Sequence, residues 1–455
     1  MTNSFGLASV PQPATALIGV GLAAALMTSA CTGGSGSTTT PDPTPTSTTA
    51  SPSSSDPPAS KRVDLAEPTF SDPTRITNPL FPKNAGTQVI QLGAEGDEQL
   101  RFEVTTLPDT KTIEWNGQLI EARVDHFMAY GDGRILEVAV DFYAQADDGA
   151  VWYFGEDVFN YQKGVVHDRD GTWLAGKDGP PGMIMPGDPQ VGDVYRPENI
   201  PGLVFEEVTV KGQDEPLDGP QGAISGLLIQ ERLMDGTLED KVFAPGYGEF
   251  RAQVKTLDEL YNLAVAVPQD QRKGRMPSEL STLWSGATSV FRGAGSDLTS
   301  RLDAMTRAWA TYRSGDVPPL LETQMSDALQ ALDRAVGHPR QPAGVQQAAI
   351  DVSQAVLDLQ LQYGNRRDVD LNRLALWTRQ LVIDADAGYV AGVSGDAATL
   401  RAIWDRIDHT VTGARATAVD AQLTDIQAAI GDSDLTGAAD IAMGMESRLA
   451  NLSER

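Results

Sequence analysis

Two different periods run along this chain. Between about Pro73 and Val267 apolar and polar positions alternate in short runs, whereas after Met276-Pro277 apolar residues recur every three or four positions. Period-two alternation predicts strands over 87–92, 100–106, 110–115, 119–130, 134–143 and 150–154, then 204–210, 223–233, 240–244, 248–254 and 258–267. Asn116-Gly117 and Asp132-Gly133 are two-residue hairpin signals, because both central positions of such a turn take positive φ. Within 134–145, Ile135, Glu137, Ala139, Asp141 and Tyr143 fall on one face and Leu136, Val138, Val140 and Phe142 on the other, the pattern of a half-buried antiparallel strand. Residues 168–193, crowded with Gly, Pro and Asp, are expected to wrap the sheet irregularly.

In the second half, Leu298, Leu302, Met305, Trp309 and Tyr312 step by four and three along one helix stripe. Pro318-Pro319 opens the next helix, whose stripe is Leu321, Met325, Leu329, Leu332 and Val336, with Gly337 just past its end. A helix over 345–363 carries apolar residues off its main stripe and is expected to be buried on two sides. Further helices over 371–389, 397–411, 417–430 and 438–451 complete a bundle of about seven, with 279–291 an additional candidate. The expected fold class is α+β: an N-terminal antiparallel β domain (73–268) followed by a C-terminal all-α helical bundle domain (279–455).

Neither pattern covers the first 72 residues. Residues 14–30 are an uncharged apolar stretch, shorter than the ~20 residues a spanning helix needs and suited to a signal peptide. Met27-Thr28-Ser29-Ala30-Cys31 then places small residues before the only cysteine of the chain, with Thr28 where Leu is usual, and no Lys or Arg precedes the apolar run. This stretch resembles the lipobox of bacterial lipoproteins. The resemblance implies a signal peptide over 1–30, lipidation of Cys31 on sulfur, and a protein anchored by lipid to the extracytoplasmic face of the cell membrane. Residues 31–72 are read as the lipidated cysteine and a disordered tether, since Gly, Ser, Thr and Pro bury too little apolar surface to offset chain entropy.

Charge narrows the function classes. The 455 residues carry 35 Lys and Arg against 62 Asp and Glu, a net charge of −27, which argues against a nucleic-acid partner. From Leu280 onward 15 Arg and no Lys meet 22 Asp and Glu, so most of the acidic excess lies in the tether and β domain. Four histidines, His126, His167, His338 and His409, form no ligand spacing and read as surface or capping residues. No serine elbow, glycine-rich phosphate loop or complete calcium loop is present, and neither cofactor nor metal is expected.

Two constellations invite a site. Trp152, Tyr153 and Phe154, with Trp173 and Tyr195, concentrate rings that could bind a ligand, although large rings also dominate ordinary cores. The stretch from Trp152 to Tyr195, with Gly171-x-Trp173, Pro181-Gly182-Met183-Ile184-Met185-Pro186 and Gly192-Asp193-x-Tyr195, resembles extracytoplasmic β domains of uncharacterised actinobacterial proteins. That resemblance implies secretion and no particular activity. In the helical half, Arg373, Arg379, Asp384, Asp386, Asp396, Asp405 and Arg406 could form a buried Arg–Asp network lining a pocket, but exposed i, i+4 ion pairs are commoner and are the expectation.

The function expected from these features is a membrane-anchored, non-catalytic binding or scaffolding module of the cell envelope, with an envelope protein or an apolar ligand as partner. One alternative is a carrier holding a lipid in the β domain. Another is a cell-envelope hydrolase with Glu156 and Asp157 as first suspects, which suffers from adjacent strand residues facing opposite sides.

Overall fold

The structure is a computed structural model that describes residues 57–293, 297–337 and 342–453. The expected signal peptide, Cys31, most of the expected tether and His338 lie outside the described residues.

Among the described residues there are fourteen strands, all in one sheet. They are β1 (Gln88–Glu95), β2 (Glu98–Trp115), β3 (Gln118–Gly131), β4 (Arg134–Gln145), β5 (Val151–Gln162), β6 (Val165–Asp168), β7 (Trp173–Leu174), β8 (Gly182–Met185), β9 (Val194–Ile200), β10 (Val204–Gly219), β11 (Gly222–Leu233), β12 (Leu238–Ala244), β13 (Gly248–Val254) and β14 (Glu259–Val267). The hydrogen-bonded path runs β6-β5-β4-β3-β2-β1-β14-β13-β12-β11-β10-β9, antiparallel throughout. Asn116, Gly117, Asp132 and Gly133 all have positive φ, as the hairpin reading requires. Two expected strands fuse: β2 continues through Pro108-Asp109, and its register with β3 shifts between Thr106 and Thr110, so the turn signal produced a bulge. The irregular stretch 168–193 supplies two short strands, β7 and β8, both paired to β5.

β8 also bends the sheet toward closure. It is hydrogen-bonded to β5 and lies beside β9, the far end of the path. There Gly182 abuts the Pro197 carbonyl, which would be 1.8 Å from a Cβ at position 182. The result is a curled, barrel-like sheet with an inner and an outer face.

Eight helices follow among the described residues: α1 (Ser278–Phe291), α2 (Leu298–Tyr312), α3 (Pro319–Val336), α4 (Pro342–Gln360), α5 (Arg366–Asp386), α6 (Val390–Asp405), α7 (Ala414–Gly431) and α8 (Leu435–Ser453), with a 3-10 turn at Asp408–Thr410. As its pattern foretold, α4 is buried on several sides, with Ala349, Val352, Val356 and Leu359 sealed.

Two boundaries require correction. The β and α regions do not have separate cores. Ile90, Val265 and Val267 share one cluster with Leu280, Leu283, Leu321 and Val356, and Met128, Tyr130, Ile135 and Val138 share another with Leu371, Val393 and Trp404. The outer face of β1–β4 and β14 carries apolar patches, and the helices are what cover them. The tether also ends earlier than residue 72. Arg62 bridges Val194 in parallel, and Val63 N–H donates to the Val194 carbonyl at 3.0 Å. Further along, Phe70 meets Phe154 edge-on at 5.5 Å, so residues 61–82 form a strap on the barrel held by apolar and main-chain contacts.

Candidate functional site

The five aromatic residues proposed from sequence as ligand contacts, Trp152, Tyr153, Phe154, Trp173 and Tyr195, are all buried in one hydrophobic cluster. They form core, the ordinary role of large rings. Bulges in β5 and the close approach of β7 and β8 turn these rings into the packing. Tyr153 stacks on Tyr143 at 4.9 Å and meets Trp173 edge-on at 5.3 Å. Their polar tips nevertheless point to something the sequence did not reveal. Tyr153 Oη donates to Asp141 at 3.0 Å, and the Trp173 indole N–H donates to Glu198 at 2.7 Å.

Those acceptors belong to an acidic lumen. Alternation along β2, β3 and β4 sends Phe102, Val104, Asp125, Phe127 and Asp141 inward, while Arg101, Glu103, His126 and Met128 point outward to the helices. A cavity of about 90 Å³ lies inside, with Phe81, Lys83, Asp125, Asp141, Lys241 and Glu249 among its walls. That is room for a few water molecules or one small polar group, below the several hundred Å³ of a site for a drug-sized ligand.

Four carboxyl groups line this cavity, Asp125, Asp141, Glu231 and Glu249, against two ammonium groups. Lys83 Nζ ion-pairs with Asp125, and Lys241 Nζ bonds Glu231 at 2.6 Å with Glu239 at 3.4 Å. Burial opposes the charge on Lys241, but these carboxylates outweigh it and hold its ammonium well above the usual lysine range. Asp141 is pushed up to about 7, first by burial and then by the Asp125 charge. Deeper in the wall, burial raises Glu137, Glu198 and Glu239 to about 8 and Glu259 to about 7. Glu156 is raised as well, first by burial and then by the charge of Glu198. Among the hydrolase suspects, Glu156 is buried in this wall, whereas Asp157 faces the other side and pairs with Arg169 at 3.2 Å.

The charged residues of the helical half behave differently. Arg373, Arg379, Asp384, Asp396 and Arg406 are buried, which corrects the expectation of exposed pairs; Asp386 and Asp405 are not buried. Arg101 grips Asp358 with two bonds of 2.7 and 2.8 Å, Arg373 bonds Asp358 at 2.8 Å, and Arg406 bonds Asp370 at 2.6 Å and Glu103 at 2.7 Å. Three guanidiniums meet three carboxylates between sheet and helices. This balanced network is a clamp, with no charge left for a ligand. His126 is buried beside it, correcting its surface assignment, and burial with the Arg406 charge pushes it down to about 3.

The lumen residues were missed because an inward Glu or Asp in an alternating strand reads as a solvated face. Glu137 and Asp141 sharing a face with Ala139 and Tyr143 was the available signal. Among the described residues no group of three or more His, Cys, Asp or Glu is arranged to hold a metal ion, and no helix is long and apolar enough to cross a membrane. No family model, curated protein or solved structure matches this chain.

Proposed function

We propose that this chain is a non-catalytic binding module of the cell envelope, lipidated at Cys31 and held at the extracytoplasmic face of the membrane, with the acidic lumen as its ligand site. The observation that carries the reading is the imbalance inside the barrel. Four carboxyl groups against two ammonium groups line a cavity, and Asp125 Oδ1 is buried there without a hydrogen-bond partner. Buried polar groups left unpaired are costly, so a fold that keeps them around open space favours a polar ligand that completes them. The lipid-carrier alternative is less well supported, because acyl chains favour dry apolar walls and this cavity is small and charged. The hydrolase alternative has lost its adjacent pair, whose members face opposite sides.

Two measurements test this reading. Metabolic labelling with an alkyne fatty acid should mark the chain, and Cys31→Ala should abolish the label and release the protein from the membrane fraction. Thermal midpoints of the full chain across amines, amino acids, sugars and carboxylates should rise with at least one class. Asp141→Asn should remove that rise. A midpoint indifferent to every class would refute the lumen as a ligand site.

A further inference from the structure

The lumen already holds a cation, and the protein supplies it. Lys83 follows the strap and precedes β1, and its Nζ enters the cavity to pair with Asp125. The same ammonium lies 4.6 Å from the centroid of the Phe81 ring and 5.1 Å from that of Tyr143. Two aromatic rings and a carboxylate around one ammonium form the kind of cage by which proteins hold organic cations. The rings attract the charge through their quadrupoles and offer apolar carbon to its alkyl groups. Asp125 itself is fully buried, and its Oδ1 has no hydrogen-bond partner, so the cage holds acceptor capacity that Lys83 does not use. Lys83, by contrast, is only partly buried, and Asn84 and Ala85 after it are exposed. Its side chain can swing out without breaking a strand, because β1 begins at Gln88.

Resting on the reading of the lumen as the ligand site, we propose that the cage of Phe81, Tyr143 and Asp125 recognises an organic ammonium and that Lys83 is its internal competitor, displaced when the ligand enters. The class is a primary or methylated alkylammonium, carried by a free amine or by a lipid headgroup. The cavity of about 90 Å³ admits a small ammonium head, and departure of the lysine side chain enlarges it. Glu249 in the same walls repels anions.

Calorimetric titration of the full chain with tetramethylammonium and ethylammonium chlorides, against sodium chloride as ionic control, tests the assignment. Lys83→Met is expected to bind one equivalent of organic cation at least tenfold more tightly than the unaltered chain, and adding Asp125→Asn should erase the gain. A folded Lys83→Met that gains nothing overturns the proposal. If that variant does not fold, acetylation of the unaltered chain by an N-hydroxysuccinimide ester decides. Saturating tetramethylammonium should raise labelling at Lys83 several-fold and leave Lys255 unchanged, and an unchanged Lys83 overturns the proposal. Tighter binding of dihexanoylphosphatidylcholine than of choline would assign the headgroup source, and the reverse order the free amine; either supports the cage. A sugar or carboxylate that stabilises the chain through Asp141 while no ammonium binds would keep the lumen as a site and overturn the ammonium assignment.

Discussion

Arg406, which follows the last residue of α6, donates to Glu103 on β2 at 2.7 Å across 303 positions of sequence, and both side chains are sealed from water. Glu103 is held well below the usual carboxylate range. Burial opposes its charge, and Arg373, Arg101 and Arg406 overcome that opposition.

Removing one member therefore strands a buried charge. Glu103→Gln or Arg406→Met is expected to cost about 3–5 kcal/mol, and replacing the whole network by apolar residues of similar volume far less. Urea denaturation followed by far-UV dichroism and by tryptophan fluorescence checks this. Because sheet and helices share cores, both probes should report one transition, and separate midpoints would restore two independent domains.

The lumen makes stability fall as pH rises above 5. Glu137, Glu198 and Glu239 keep their protons to about 8 in the folded state, Asp141 and Glu259 to about 7, while the unfolded chain releases them near the ordinary value. The folded state thus binds more protons between those limits, and the stabilisation is full below about 4.5 and lost toward 8. Glu103, depressed in the fold, works in the opposite sense and loses its contribution only as pH drops below about 4.5. Urea midpoints should be higher at pH 5.5 than at pH 8, and Glu198→Gln should flatten the difference. A midpoint that climbs over that interval would contradict the protonated lumen.

Trp173→Phe removes the indole that donates to Glu198 and shrinks a fully buried ring. The expected loss is about 2–4 kcal/mol, from the cavity and from the unpaired acid together. Thermal unfolding measures it, and a loss below about 0.5 kcal/mol would show that the indole bond adds little.

Closure of the barrel can be tested at Gly182, where a methyl group would collide with the Pro197 carbonyl. Gly182→Ala should cost about 2–3 kcal/mol by overpacking the seam. Gly431→Ala is the control: nothing lies within 4 Å at the end of α7, so up to about 1 kcal/mol of stabilisation is expected. Equal effects of the two substitutions would mean that the seam is not tight.

Much of this architecture could be read from local pattern. Asn116-Gly117 and Asp132-Gly133 foretold hairpins because the turn chemistry is local, and the stripe Leu302, Met305, Trp309 and Tyr312 foretold α2 because its period is local. Curvature is not local. Once the sheet curls, the polar face carrying Glu137 and Asp141 turns into an interior, and the aromatic run at Trp152–Phe154 into its packing. Nor does spacing show that Arg373 and Arg406 reach carboxylates on distant elements. Their i, i+4 surroundings looked like an ordinary solvated surface.

The strap gives the N-terminal segment a mechanical point of attachment. Main-chain bonds couple residues 61–63 to Val194 at the start of β9, the strand that ends the path and borders β8. Tension applied to the chain ahead of residue 61 would thus load the barrel's seam before it reached the helices.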